Sequence, residues 1–236
     1  VYDMKKILFA ASEAVPFMKT GGLADVTGSL PKYFDKKNYD VRVILPKYVC
    51  MEERWKGQLH FLCHFYVNLS WRKQYVGIFE TTYAGITYYL VDNEFYFAGN
   101  APYNNIYEDV EKFAFFSKAV LEALPYLDFC PDIIHCHDWQ TGLLPVFLRT
   151  LYGDEEYYTG IKTVFSIHNL KFQGRWKLPA VMDITGLPEQ IFASDKLESY
   201  GEANYLKGGV VYAEQGTALY SQCKCSLQYF EEIVFQ

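Results

Sequence analysis

Apolar and polar positions at the start of the chain predict a β-α-β order. Residues 6–12 are almost entirely apolar and end in small residues, which is typical of a strand buried on both faces. A loop with Pro16 and two adjacent glycines follows, and then a helical pattern over residues 23–34. A second apolar strand covers residues 40–46. This order predicts the opening of a parallel, doubly wound sheet.

The pattern changes character between residues 59 and 92. Three β-rich runs, over residues 59–69, 74–82 and 86–91, are separated by short polar or glycine-containing turns. They predict an antiparallel hairpin or meander, either as an insertion or as one edge of the sheet. The turn-rich residues 98–106 (AGNAPYNNI) predict a surface loop.

Helical and strand patterns then alternate to residue 213. We predict helices over residues 108–124, 139–151 and 198–213, strands over 132–137 and 162–168, and an irregular segment between 168 and 188. No repeat, low-complexity tract or linker interrupts the pattern, so we expect one domain over residues 1–236. The predicted fold class is α/β, a Rossmann-like, doubly wound and mostly parallel sheet with an antiparallel insertion or edge.

Charge and cysteine usage exclude some classes of partner. The net charge of −6 argues against a nucleic-acid or anionic-membrane partner, because binding phosphate-rich surfaces requires a basic face. No stretch approaches the length of a membrane span. The six cysteines form no C-x-x-C pair, and reduced thiols in a cytoplasmic protein are the simplest interpretation.

The first polar cluster is residues 19–26 (KTGGLADV), where Gly21 and Gly22 directly precede a predicted helix. Glycine lets the backbone approach a ligand closely, and a helix N-terminus offers free N–H groups and a positive dipole end, which suit a phosphate. Lys19 adds a full positive charge. The segment matches neither a P-loop nor a dinucleotide-binding fingerprint, and a tight turn without a ligand is the commoner interpretation of two glycines here.

The second cluster is residues 132–143 (DIIHCHDWQTGL). On a strand His135 and His137 share a face, and Asp138 falls at the carboxyl end, where ligands gather in open α/β sheets. Asp138 is therefore placed either to touch a substrate or to cap the helix that begins near Trp139. We favour core or supporting roles for both histidines over a metal site, and we predict no metal.

The third cluster is residues 164–174 (VFSIHNLKFQG). His168 ends another strand at the same predicted edge, next to Asn169. Taken singly, His168 is a strand-end histidine without an assigned role. Three polar clusters that converge on one edge of a sheet predict a pocket there.

In this order and spacing the clusters resemble the bacterial glycogen synthase and plant starch synthase family. The resemblance covers about residues 4–213 and rests on residues 12–32 (SEAVPFMKTGGLADVTGSLPK), 110–122 (VEKFAFFSKAVLE), 131–143 (PDIIHCHDWQTGL), 165–174 (FSIHNLKFQG) and 200–213 (YGEANYLKGGVVYA). It implies the N-terminal catalytic domain of a GT-B fold, whose C-terminal nucleotide-binding domain is absent from these residues.

The resemblance also implies an activity. The family transfers glucose from ADP-glucose to the non-reducing end of an α-1,4-glucan with retention of configuration, and no cofactor is expected. The partners would be this donor, this acceptor and the missing C-terminal domain, without which we expect the fragment to be inactive. ADP-glucose is favoured over UDP-glucose, although the base-binding residues should lie mainly in the missing half.

Carried over by position, the resemblance implies roles for ten residues. Asp138 and His168 would be the catalytic residues that contact the glucosyl unit. The donor would bind to Lys19, Gly21, Gly22 and Asn169. The acceptor or sugar would lie near Tyr103, Tyr200, Asn204 and Lys207.

The chain departs from the family pattern at two places. Glu202 stands where the family has Gln, and residues 214–236 diverge where the family continues with an aspartate and a Val-Thr-Thr-Val-Ser-Pro strand. We expect no such strand here. Two alternative functions stay open: a glucan- or nucleotide-binding module without catalysis, and a nicotinamide-dependent oxidoreductase, which the missing G-x-G-x-x-G weakens. A second Rossmann-like region encoded after residue 236 would favour the enzyme over the binding module.

Overall fold

The computed structural model describes residues 4–218. Its strands are β1 (Lys5–Ala10), β2 (Tyr39–Pro46), β3 (His60–Leu69), β4 (Arg72–Tyr83), β5 (Ile86–Asp92), β6 (Ile133–His137), β7 (Lys162–Ile167), β8 (Arg175–Lys177), β9 (Glu198–Ser199), β10 (Glu202–Asn204) and β11 (Gln215–Ala218). Its α-helices are α1 (Gly22–Ser29), α2 (Glu53–Lys56), α3 (Ile106–Ala123), α4 (Leu143–Thr150), α5 (Leu178–Thr185) and α6 (Tyr205–Tyr212). No helix within residues 4–218 is both long and apolar enough to cross a membrane.

Eight strands form one sheet in the order β11-β7-β6-β1-β2-β5-β4-β3. From β11 to β5 all neighbours pair in parallel, whereas β4 pairs antiparallel with both β5 and β3. The predicted α/β class and mostly parallel sheet are therefore confirmed. The antiparallel part is an edge of the main sheet, and a separate small sheet has the order β8-β10-β9.

The strand order reverses beside β1, and this reversal positions the site. The chain adds β2 and β5 on one side of β1 and then returns to add β6 and β7 on the other. Loops that leave β1 and β6 at their carboxyl ends run to opposite faces of the sheet, and in open α/β sheets this reversal is where a ligand-binding crevice forms.

Apolar side chains cover both faces of the sheet. One face, with Leu8 and Phe165 among its buried residues, packs against α3, α4, α5 and α6. The other face includes Phe9 and Val43 and is covered by the segment around α1, with Phe17 and Phe34. This two-sided burial explains why the parallel strands are apolar at nearly every position.

Two predictions after residue 168 were wrong. The predicted irregular segment contains β8 and α5, and the predicted helix over residues 198–213 begins only at Tyr205. Tyr200 and Gly201 have φ values of 53° and 81°, which turn the chain between β9 and β10. The Asn204 side chain then caps α6 by accepting the Lys207 N–H at 2.9 Å.

The expectation that no strand follows Ala213 was also wrong. β11 pairs in parallel with β7, and Gln215 lies opposite Val164. The Glu214 carboxylate accepts hydrogen bonds from the backbone N–H and hydroxyl of Thr163 at 2.6 and 2.7 Å, and it forms an ion pair with Arg149. The rest of the divergent tail, residues 219–236, lies outside the described residues.

The loop after β7 packs through Gly174 onto the ring of Trp139. Gly174 has a φ of 61°, and a Cβ atom at this position would lie 2.2 Å from that ring. Both the backbone conformation and the space therefore require glycine. Gly160 provides a contrast, because a Cβ atom there would have no atom within 4 Å.

We predict that Gly174→Ala lowers the free energy of unfolding by about 3 kcal/mol, through a left-handed backbone and an overpacked contact. Gly160→Ala should leave it nearly unchanged. Urea unfolding of both variants checks this. An equal, small change in both would contradict the packing described for Gly174.

Candidate functional site

The loops after β1, β6 and β7 meet at the crevice beside β1. Asp138 follows β6 directly, and His168 follows β7. The Asp138 Oδ1 atom accepts the backbone N–H of His168 at 2.7 Å and that of Asn169 at 3.3 Å. The structure thus brings together the second and third polar clusters of the sequence.

Asp138 has an unusual backbone conformation, with φ 59° and ψ 179°. Its N–H donates to the Ser166 carbonyl at 2.9 Å, and its carbonyl accepts from the Thr141 N–H at 3.1 Å. The side chain makes no capping bond to the helical turn that follows. The helix-capping alternative is therefore wrong, and the carboxylate is held toward the neighbouring loop. Strained non-glycine residues of this kind cluster at functional sites.

Burial changes the acidity of Asp138, which is only 6% exposed. Desolvation raises the pKa of Asp138 to about 6, although the two amide hydrogen bonds lower it, and nearby Glu13 raises it further. At neutral pH the charged form of Asp138 therefore lowers the free energy of unfolding.

A row of histidines runs from the sheet to the crevice. His137 Nδ1 lies 2.9 Å from His168 Nε2, and His135 Nε2 lies 2.7 Å from the Ser166 hydroxyl. His135 and His137 share the face that carries Phe9, with ring centroids 4.7 and 5.2 Å from it. Burial lowers the pKa of His168 to about 4 and the pKa of His135 to about 3, and the pKa of His137 is also well below its ordinary value. All three rings are neutral at physiological pH.

The loop with Lys19, Gly21 and Gly22 is exposed and leads directly into α1. Gly21 has an extended conformation, with φ −153°, and the chain bends at Thr20 and Gly21 before Gly22 begins the helix. A Cβ atom on either glycine would meet nothing within 4 Å, which leaves open space at the helix N-terminus. Lys19 Nζ lies 2.7 Å from Asp25 in an exposed ion pair, and such pairs exchange partners at little cost.

Glu13 is a site residue that the sequence did not indicate as such. Its buried carboxylate accepts hydrogen bonds from the Thr20 N–H, from the Thr20 hydroxyl at 2.8 Å and from the Tyr103 hydroxyl. The Tyr103 hydroxyl also lies 2.7 Å from the Ser12 hydroxyl. The structure thus brings Tyr103 next to the loop that follows β1. A single acidic residue directly after the apolar predicted strand 6–12 was the available signal for Glu13.

The other three residues predicted near the acceptor or sugar have different environments. Tyr200 is 92% exposed, and the Arg175 guanidinium lies 5.7 Å from its ring centroid. Asn204 is buried and donates to the Gln173 side chain at 2.7 Å, besides capping α6. The Lys207 ammonium donates to two backbone carbonyls, those of residues 194 and 198. Asn204 and Lys207 thus have structural partners, and Tyr200 is open to a ligand.

The fold and this site define one Rossmann-like half of a GT-B glycosyltransferase. Within that class, the chain belongs to the family of starch synthase catalytic domains, whose model matches residues 6–235. The match extends beyond residue 213, where the resemblance by motif ended.

Curated relatives are similar over nearly the whole chain. A glycogen synthase of Lachnoclostridium phytofermentans is 64% identical over 92% of the chain and 45% of that protein. A glycogen synthase of Lachnospira eligens is 60% identical over 98% of the chain and 47% of that protein. The chain therefore spans less than half the length of these relatives.

A solved structure agrees with the fold. The catalytic domain of starch synthase IV from Arabidopsis thaliana, bound to ADP and acarbose, superposes with a TM-score of 0.80 at 27% identity. The superposition covers 90% of this chain and 44% of that one.

We predict that Asp138→Asn stabilises the fold in a pH-dependent way. The folded-state pKa of about 6 exceeds the ordinary value of 3.8, so the charged form destabilises the fold above pH 6 and this cost disappears as the pH falls toward 4. A shift of about 2 pKa units corresponds to a gain of about 3 kcal/mol at pH 8 and little near pH 4.

Urea unfolding at both pH values checks this, with the exposed Asp128→Asn as the control variant. A gain for Asp138→Asn that does not depend on pH would contradict the proposed burial of the charge. A gain of that kind would instead reflect the greater tolerance of asparagine for a positive φ.

Proposed function

We propose that the chain forms one wall of a retaining glucosyltransferase that transfers glucose from ADP-glucose to the non-reducing end of an α-1,4-glucan. The observation that carries the proposal is the joining of Asp138 to His168 beside an open glycine loop with Lys19, all at the strand-order reversal. Relatives named glycogen synthase support the reaction. A starch synthase bound to ADP and acarbose supports an adenine nucleotide donor and a saccharide acceptor.

The donor diphosphate is proposed to bind at the N-terminus of α1. Negative charge grows on the leaving diphosphate during transfer, and the free amides of the glycine loop meet it with the positive end of the helix dipole. Lys19 then exchanges Asp25 for the phosphate. Stabilisation of this kind is often the largest single contribution to catalysis.

The glucosyl unit is proposed to lie against Asp138 and His168. Glucosyl transfer passes through a state with positive charge on the sugar ring, and a neutral His168 hydrogen-bonds a sugar hydroxyl without opposing that charge. Asp138 Oδ1 holds the backbone of His168 in place, while Oδ2 has no hydrogen-bond partner within residues 4–218 and is assigned to a sugar hydroxyl. Asn169 lies beside them on the donor side.

We propose that Tyr103 and Tyr200 border the donor and acceptor space, with Asn204 and Lys207 supporting that border. The remaining half of the enzyme, which the relatives contain, supplies the opposite wall and most of the nucleotide contacts. We also propose a cytoplasmic location, supported by four unpaired cysteines within the described residues. The net charge of −6 supports the absence of nucleic-acid and membrane partners.

The alternatives differ in their remaining support. Membership of the starch synthase family removes the basis for the oxidoreductase. A glucan- or nucleotide-binding module without catalysis is favoured only by the length of the chain relative to its relatives. Glucan elongation by the full-length protein would exclude this alternative.

We predict that residues 1–236 alone do not elongate a glucan, because the reacting groups must be oriented by both walls of the crevice. Incubation with labelled ADP-glucose and a malto-oligosaccharide measures this. The full-length protein is the positive control, and chain growth by the fragment above the blank would contradict the prediction.

We predict that His168→Ala in the full-length protein lowers turnover by roughly a hundred- to a thousandfold, as expected for a hydrogen bond formed mainly in the transition state. The exposed His64→Ala should retain turnover. Turnover and the urea midpoint are measured on the same samples. A His168→Ala protein that unfolds earlier but keeps normal turnover per folded molecule would show a structural role instead.

A further inference from the structure

Glu13 connects two loops that are far apart in the sequence. One is the donor loop, residues 19–22, from which Thr20 donates to the Glu13 carboxylate through both its N–H and its hydroxyl. The other is the Tyr103 loop, residues 98–105, from which the Tyr103 hydroxyl donates to the same carboxylate. Glu13 itself is 3% exposed and lies three residues after the end of β1 at Ala10.

The carboxylate is fully engaged in these contacts. Oε2 accepts the Thr20 N–H, and Oε1 accepts both hydroxyl groups. The Glu13 carbonyl also accepts the Thr27 hydroxyl at 2.6 Å, which ties α1 to the same residue. With its oxygens occupied in this way, Glu13 is suited to hold the loops rather than to react.

A buried ion pair on α3 holds the Tyr103 loop in place. Lys112 Nζ lies 2.8 Å from Asp109 Oδ1 and donates to the Pro102 carbonyl at 3.0 Å. The Asp109 carboxylate in turn accepts the Asn104 N–H at 3.1 Å. Tyr103 thus lies between two residues whose backbones are fixed to α3, and its hydroxyl extends this support to Glu13.

The donor loop needs such an anchor. Gly21 and Gly22 have no side chains with which to pack, and a Cβ atom there would meet nothing within 4 Å. Thr20 is therefore the residue through which the loop is held before α1 begins. Hydrogen bonds to a buried carboxylate are short and stronger than neutral ones, so they limit the movement of the loop.

We infer that Glu13 is a positioning residue that couples the donor loop to the Tyr103 loop. This inference rests on the proposed function, because it assigns Glu13 to the alignment of the diphosphate beside Lys19 with the sugars beside Tyr103. Loss of the carboxylate uncouples the two loops, and a displacement of about 1 Å in such a site lowers the rate by about a hundredfold.

The first test is Glu13→Gln in the full-length protein. Glutamine keeps the size and one acceptor oxygen. Its NH2 group is a donor, however, and it replaces a carboxylate oxygen that accepted a hydrogen bond from the Thr20 N–H or from a hydroxyl. We expect kcat to fall by about a hundredfold. The urea midpoint of unfolding should change by the same amount as in the control variant. Glu122→Gln is the matched control, because Glu122 also accepts a tyrosine hydroxyl, that of Tyr152 at 2.6 Å, outside the site.

Hydrogen exchange tests the coupling without relying on the reaction. Glu13→Gln should increase amide exchange in peptides covering residues 18–22 and also in those covering 98–105, whereas Glu122→Gln should change neither. Faster exchange in only one loop, or in none, would overturn the inference. If both loops respond but no glucan grows even in the unaltered protein, the proposed function fails and the coupling stands.

A double-mutant cycle remains informative if Glu13→Gln does not fold. Thr20→Val and Tyr103→Phe each remove one hydroxyl that donates to Glu13. We expect their effects on kcat to be non-additive in the otherwise unaltered protein, because both act through one carboxylate. Additive effects would contradict the coupling.

Discussion

The Asp138 carboxylate joins the ends of β6 and β7, and the candidate site depends on this contact. One oxygen accepts the amides of His168 and Asn169, so the loop after β7 is held beside the end of β6. The strained backbone of Asp138 directs the side chain there instead of into the helical turn that follows. The order of the strands places this contact next to β1, from whose carboxyl end the chain runs to Glu13 and on to residues 19–22.

The electrostatic balance of the site follows from burial. Asp138 and Glu13 are carboxylates in the interior, whereas three histidines are kept neutral by the same desolvation. The positive groups, Lys19 and the N-terminus of α1, lie on the exposed side. In the proposed function a diphosphate would meet this positive charge at the rim, and a sugar ring would meet the carboxylates and the neutral histidines further in. This division matches the charges that develop when a glycosyl phosphate bond breaks.

Local patterns explain how much of the fold and site could be predicted from the sequence. Apolar runs identified the parallel strands, because strands buried on both faces are apolar at nearly every position. Three β-rich runs separated by short turns identified the antiparallel edge, because such runs are typical of hairpins. The hairpin β9–β10 was taken for the start of a helix. Its tight turn, in which the exposed Tyr200 and the adjacent Gly201 both have positive φ values, is a local signal that was overlooked. Likewise, β11 depends on pairing with β7 and on Glu214. The contact between Glu13 and Tyr103 spans 90 residues and leaves no local pattern.

A crystal structure of the full-length protein with ADP-glucose and a malto-oligosaccharide tests the proposed site most directly. We expect the diphosphate within hydrogen-bonding distance of Lys19 and of the amides of Gly21 and Gly22. We also expect the glucosyl unit in contact with Asp138 and His168. A glucosyl unit bound elsewhere, with the crevice beside β1 holding neither donor nor acceptor, would contradict the proposed site.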